Sequence, residues 1–213
     1  MRQTNFGEDH RKYTESRSQY ALAMVLLSKI THRGRVLDVG SGLGEFADLL
    51  VNHGYDVFCV EGAEEFVVKQ RQRGLKIQQV DLENNNLPFE DNSFDIIFSL
   101  DVIEHLWNTK HYLLEINRCI KSDGFFIIST INYNYWKYRL LHLKGKMEDF
   151  VYSSRHKKFY TLNSLPIELR PLFNIDDVAY YSRWATLTHM IFPNLLAQQF
   201  AFLCRPNKNN MAR

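Results

Sequence analysis

The sequence predicts an α/β fold, a doubly wound sheet of about seven strands, mostly parallel, with helices on both faces. Short apolar runs alternate with stretches of helical periodicity from residue 35 to residue 131. The runs VFCV and FFII are apolar without alternation, as strands covered on both faces are. Three successive runs end in glycines or acids, at Gly40, Glu61 and Asp81, where the ligand edge of such a sheet lies.

The elements follow in order. Residues 16–30 place apolar side chains at helical spacing, with Ser16 or Ser18 as a cap. RVLDV at 35–39 reads as a buried strand, and GSGLGEFADLLVNHG as a glycine loop entering a helix that Gly54 closes. YDVFCV, ending at Val60, is a second strand, 63–73 a helix stopped by Gly74, and KIQQV at 76–80 a third strand. DLENNNLPFEDNS is loop chemistry. FDIIFSL at 94–100 is a fourth strand, 109–120 a helix ended by KSDG, and FFIIST at 125–130 a fifth strand. After residue 131 the rhythm breaks into an aromatic and basic stretch, 132–160. A helix beginning at 161 and two strands, 175–181 and 197–203, follow; their spacing is too short for a crossover helix, so they can pair antiparallel.

Composition narrows the function. The 213 residues fit one domain with a modest elaboration at roughly 150 residues each. A net charge of +2 argues against a surface built throughout to grip nucleic acid. It hides an asymmetry: residues 1–131 carry 14 basic and 19 acidic side chains, net −5, and 132–213 carry 12 and 5, net +7. Cys59, Cys119 and Cys204 are odd in number and far apart, so buried thiols in a reducing compartment are expected rather than disulfides or a zinc ribbon. The polar N-terminus and the lack of a run of roughly 18 apolar residues make a cytoplasmic protein without a transmembrane segment the expectation.

The chemistry concentrates at the strand ends. In VLDVGSGLGEFA, Gly40, Gly42 and Gly44 let the backbone turn tightly and approach a ligand, beside the free amides of a helix start. A dinucleotide fingerprint needs its third glycine one residue later, and Glu45 suits a pyrophosphate badly. The loop fits a ligand with a charged amino-acid end. Glu61 can accept both hydroxyls of a ribose, and Asp81 can accept from an adenine amino group or cap a turn.

VLDVGSGLGEFA, VEGAEE, VDLENNNLPFEDNSFDIIFSLDVIEHL and SDGFFIIST together resemble, over residues 33–131, the successive motifs of class I S-adenosylmethionine-dependent methyltransferases. The downstream stretch more loosely resembles the MetW-like and general-purpose bacterial methyltransferase domains. The resemblance implies a Rossmann-like sheet whose last strand is antiparallel and inserted beside the fifth, with S-adenosyl-L-methionine as cofactor. It implies that Gly40, Ser41, Gly42 and Gly44 surround the methionine part, with Asp38 supporting the loop. Glu61 would hold the ribose and Gly62 let the adenosine pass; Asp81 and Leu82 would read the adenine edge, and the backbone at Leu100 and Asp101 would flank the methionine or sulfonium. The chain would then divide into an N-terminal helical cap (1–31), a cofactor half (32–131), an acceptor-side insertion (132–160) and a C-terminal helix and strand pair (161–213).

An oxygen or nitrogen acceptor must lose a proton, and His105 with Glu104, in DVIEHL, are the expected catalytic pair. In quinone-pathway O-methyltransferases a similar Glu-His pair is associated with a metal, and on one helical turn Asp101, Glu104 and His105 would be neighbours; acceptor positioning, proton transfer, metal binding and a structural hydrogen bond stay open, and no metal is assigned. Trp136, Arg155 and His156 are the candidate acceptor contacts, although most aromatics of 132–160, Phe150 and Tyr152 among them, read as packing. His111 reads as an exposed helix residue, and His142 and His189 carry no assignment. The expected acceptor is a small molecule, sugar-linked, phosphorylated or otherwise anionic, and no nucleic acid is expected: the Asn/Asp-Pro-Pro-Tyr phrase and a Pro-Cys nucleophile are both absent. WKYRLLHLKGK, within 135–146, has the pattern of a basic amphipathic helix able to touch a membrane or partner. The alternative to an enzyme is a non-catalytic module that binds the same cofactor and a partner.

Overall fold

A computed structural model describes residues 18–31, 33–146, 155–182 and 192–208. Its elements are α1 (Ser18–Leu27), β1 (Arg35–Val39), α2 (Glu45–Asn52), β2 (Asp56–Glu61), α3 (Glu64–Gln72), β3 (Lys76–Gln79), β4 (Phe94–Leu100), α4 (Thr109–Cys119), β5 (Ile120–Ile131), α5 (Trp136–Leu143), α6 (Leu165–Leu169), β6 (Phe173–Tyr181), α7 (Pro193–Leu196) and β7 (Gln199–Pro206). A 3-10 turn, Ile103–His105, lies between β4 and α4.

The strands form one sheet in the order β3-β2-β1-β4-β5-β7-β6. The first five are parallel, and β7 runs antiparallel between β5 and β6. The inserted antiparallel strand is thus where the resemblance implied it. Adjacent residues on a strand point to opposite faces, and both faces are apolar. Val36, Ile96, Phe98 and Ile127 enter one core, with α1, α2 and Val67 of α3. Leu37, Ile97, Phe126 and Ile128 enter the other, with α4 and α6. Burial on both faces is the reason these strands carry uninterrupted apolar runs.

Several boundaries differ from those expected. The fifth strand begins at Ile120, so the KSDG stretch read as a helix end lies inside it. Its register against β4 shifts between Phe94 and Ile96. At that irregularity Gly124 is needed, because a Cβ there would sit 2.9 Å from the Asp95 carbonyl oxygen. The third strand ends at Gln79, leaving Val80 and Asp81 as the turn into the cleft. α6 starts at Leu165 rather than 161; Ser164 Oγ accepts the Thr161 amide at 2.8 Å in the turn before it. β6 and β7 start at Phe173 and Gln199, about one pleat away from expectation in opposite directions.

Ser18 opens α1 and donates to Gln199 Oε1. Ser16, Phe150, Tyr152, His189 and the polar N-terminus lie outside the described residues. The three cysteines are buried free thiols, and desolvation raises each thiol pKa. Among the described residues no helix is long and apolar enough to cross a membrane.

Ile97 is fully buried, between Leu37 of β1 and Phe126 of β5. Ile97→Ala should cost about 2–5 kcal/mol by leaving a cavity in the sheet centre, read as a lower urea midpoint at unchanged slope.

Candidate active site

The ligand edge is built where β1, β2 and β4 end. Parallel pairing brings these ends to one side of the sheet, and the helices that follow leave on opposite faces at the switch point between β1 and β4. A cleft of about 750 Å³ opens there. Its lining includes Gly40 from the glycine loop, Glu61 and Gly62 from β2, Asp81 and Leu82 after β3, and Asp101, His105 and Arg155. Phe66, Val80, Val102 and Leu106 supply its apolar walls.

The loop conformation requires its glycines. Gly40 has φ 69°, and a Cβ there would lie 2.5 Å from Val102 Cγ2. Gly44 takes φ 75° as the N-cap of α2. The loop is then tied down by three side chains. Glu61 Oε2 accepts the Gly42 amide at 2.8 Å, while its Oε1 accepts the amides of Gly62 and Ala63 at 2.8 and 2.9 Å. Gln70 Nε2 donates to Ser41 Oγ at 2.8 Å and to the Gly42 carbonyl at 2.7 Å. Arg73 reaches the Leu43 carbonyl and Asp48. Below the loop, Asp38 is buried at the end of β1, and burial together with the Glu61 charge pushes its pKa up to about 7.

Asp81 turns its carboxylate onto its own turn, accepting from the Glu83 amide at 2.9 Å and the Asn84 side-chain amide at 2.8 Å. The Asn84 and Glu83 hydrogen bonds hold its pKa below the usual value. It therefore caps a turn, one of the two roles read for it above, at a position that lines the cleft.

Asp101, Glu104 and His105 do not share a helical turn. Asp101 adopts φ 57°, and a 3-10 turn replaces the helix. The Asp101 carboxylate faces β5 and β7, accepting from Gln199 Nε2 at 2.7 and 2.6 Å and from Ser129 Oγ at 3.0 Å. Desolvation raises its pKa, and the Gln199 and Ser129 bonds hold part of that rise back. Glu104 is 1% exposed; desolvation, then the Asp101 charge, raise its pKa well above the usual value.

In place of Asp101, His156 joins Glu104 and His105, with one donor atom of each within 4.8 Å of the others. The two imidazoles meet edge to face, centroids 4.9 Å apart. One carboxylate and two imidazoles also form a donor set suited to a divalent transition metal. Desolvation, then the neighbouring His105, lower the His156 pKa to about 4, so this ring is neutral at neutral pH. His105 Nδ1 lies 3.3 Å from the Arg155 carbonyl. A carbonyl only accepts, so Nδ1 is the donor of this pair.

The 155–160 segment is fastened to this turn. The amides of Lys157 and Lys158 both donate to the Glu104 carbonyl, at 2.8 and 3.0 Å. Lys157 Nζ pairs with Glu83 at 2.5 Å, and Lys158 Nζ donates to Thr109 Oγ1 at 2.6 Å. Of the three expected acceptor contacts, Arg155 lines the cleft and His156 lies beside His105. Trp136 stands apart on α5, its ring against Tyr135. Two residues went unread in the sequence. Gln70, fully buried on α3, lies three positions after the core residue Val67, a spacing that puts both on one helix face; Gln199, 98 positions from Asp101, gave no signal.

Residues 37–128 match the family described as "Methyltransferase domain". A probable S-adenosylmethionine-dependent methyltransferase of Mycolicibacterium smegmatis is 34% identical over 114 residues, 51% of this chain and 43% of that protein. The ubiquinone biosynthesis O-methyltransferase of Rickettsia typhi is 32% identical over 102 residues, 46% of this chain and 41% of that protein. The chain thus spans under half the length of these relatives. The crystal structure of PH0226 from Pyrococcus horikoshii superposes with a TM-score of 0.68 at 19% identity, covering 96% of this chain and 94% of that one.

The raised Asp38 pKa gives a pH test. Its proton is held more tightly folded than unfolded, so its contribution to stability is complete below 3.8 and is lost as pH rises to about 7. Asp38→Asn, which does not ionise, should therefore gain thermal stability relative to wild type between pH 4 and 7, with a constant difference above that, as read by melting curves across the range.

Proposed function

We propose that this chain is a class I S-adenosylmethionine-dependent methyltransferase and transfers a methyl group from S-adenosylmethionine to an oxygen or nitrogen of a small anionic acceptor. The observation that carries the reading is the convergence of Gly40, Glu61 and Asp81, from three strand ends, with His105 in one cleft.

The residues present fit the cofactor. Gly40 and Gly62 line the cleft with bare backbone, and a side chain at Gly40 would strike Val102. Glu61 Oε2 accepts one amide and retains a lone pair for a ribose hydroxyl. Gly40, Ser41, Gly42 and Gly44 would surround the methionine part over Asp38, with Asp81 and Leu82 toward the adenine and the Leu100–Asp101 backbone toward the sulfonium. When bound, the cofactor supplies an electrophilic methyl group. His105 Nε2 is the base that takes the acceptor proton, its ring held by the Arg155 carbonyl. The His156 ring packs edge to face against this imidazole and helps to orient it.

Charge recognition falls to Arg155. Lys157 and Lys158 are taken by Glu83, Thr109 and Glu168. Arg155 lines the cleft, and its guanidinium has no hydrogen-bond or ion-pair partner among the described residues. A planar fork of donors there suits a carboxylate or phosphate on the acceptor.

Calorimetry should show S-adenosylhomocysteine binding, weakened roughly ten- to hundredfold in Glu61→Ala; no binding by wild type would overturn the reading. With an acceptor in hand, His105→Ala should lower kcat by about 10²–10⁴ with product binding retained. Arg155→Ala should raise KM for anionic acceptors and leave kcat near wild type. Binding without turnover on any acceptor would instead favour the non-catalytic module.

A further inference from the structure

α5 is a helix with no buried residue, and it begins four residues after β5 ends at the cleft edge. At about 100° per residue, Trp136, Leu140 and Leu143 fall within a 60° arc. All three are exposed, at 38%, 41% and 83%. Tyr138 and Leu141, on the far side, are half-buried against the body. The helix thus turns its apolar ridge outward, the reverse of a helix that packs on its own core.

The ridge is flanked by cations. Residues 132–146 contain Lys137, Arg139, Lys144 and Lys146 and no acidic residue. Arg139, Lys144 and Lys146 have no ion-pair partner among the described residues. On the helical wheel Arg139 lies on one side of the ridge and Lys144 on the other. Other surface bases are held in ion pairs: Lys29–Asp177, Arg73–Asp48, Lys76–Asp56 and Arg205–Asp176.

The apolar surface continues beyond the helix. Asn132 Nδ2 donates to the carbonyls of Asn194 at 3.0 Å and Ala197 at 2.8 Å, holding α7 at the root of α5. α7 adds Leu195, and Phe192 precedes it; both are exposed. On the other side Tyr133 packs against Phe159, centroids 4.2 Å apart, which joins α5 to the segment bearing Arg155.

We infer that α5, with Phe192 and Leu195, is a docking surface for an anionic lipid bilayer, the ridge entering the acyl boundary and the bases meeting the headgroups. The charge pattern selects this occupant. An outward aliphatic ridge has no use for a polyanion such as RNA, and cations on both sides of a ridge match a plane of negative headgroups over an apolar layer. The helix is two turns long, so each contact is weak and binding is reversible. The inference stands on surface chemistry and does not depend on which reaction the cleft performs.

The experiment is vesicle flotation of the full chain at low salt, using vesicles of phosphatidylcholine alone or with a third phosphatidylglycerol. Wild type should float with the anionic vesicles and not with the neutral ones. Leu140→Ser/Leu143→Ser should weaken binding about tenfold or more. Arg139→Glu, Lys144→Glu and Lys146→Glu together should weaken it by roughly fivefold per base. All the altered side chains are exposed, and an unchanged melting temperature verifies the fold of each variant. Failure of wild type to bind anionic vesicles overturns the inference, as does binding that both variants retain. A concentration-dependent dimer, lost in the leucine variant and seen without vesicle binding, would assign the ridge to a second copy of the chain.

Discussion

The cleft depends on one carboxylate. Glu61 ends β2, yet one of its oxygens accepts the Gly42 amide from the loop after β1, and the other accepts the first two amides of its own turn. Hydrogen bonds from amides to an ionised carboxylate are the strong kind. Here they make two strand ends into one rigid lip. Gln70 repeats the tie from α3, reaching Ser41 and the Gly42 carbonyl. A glycine loop left to itself would sample many conformations; this one is held at both its amide and its carbonyl. The arrangement also explains why an acid can stand beside a loop built to receive negative groups: the amides that would attract an anion are partly claimed by Glu61.

The opposite lip uses a different device. The Glu104 carbonyl receives two successive amides from the 155–160 segment, and the two lysines that follow Arg155 and His156 are anchored by Glu83 and by Thr109 and Glu168. The basic run RHKKF thus divides its labour. Its lysines reach Glu83 and Thr109, while Arg155 lines the cleft and His156 meets His105. The Lys157–Glu83 ion pair joins the acidic first part of the chain to its basic remainder.

Much of this was legible before any coordinates. Apolar strands without alternation, closed by Gly40, Glu61 and Asp81, identified both the sheet and its working edge, because burial on two faces and the C-terminal convergence of parallel strands leave those marks in order along the chain. The errors have local causes. KSDG reads as a turn, but pairing with β4 across a register shift overrides that propensity and draws it into β5. DVIEH at helical spacing suggests three neighbours on one turn, but Asp101 is drawn to Gln199 and Ser129 and leaves its place to His156. Those partners come from distant elements, and spacing along the chain carries no trace of them.

The insertion of β7 between β5 and β6 has a consequence for biogenesis. Asp101 is held by Gln199, the first residue of the last strand, 98 positions later. During synthesis the first five strands can pair as they leave the ribosome, and the glycine loop and Glu61 can close early. The floor beneath Asp101 cannot form until β7 slides in beside β5. The seat of the Asp101 carboxylate is therefore complete only once β7 has paired with β5.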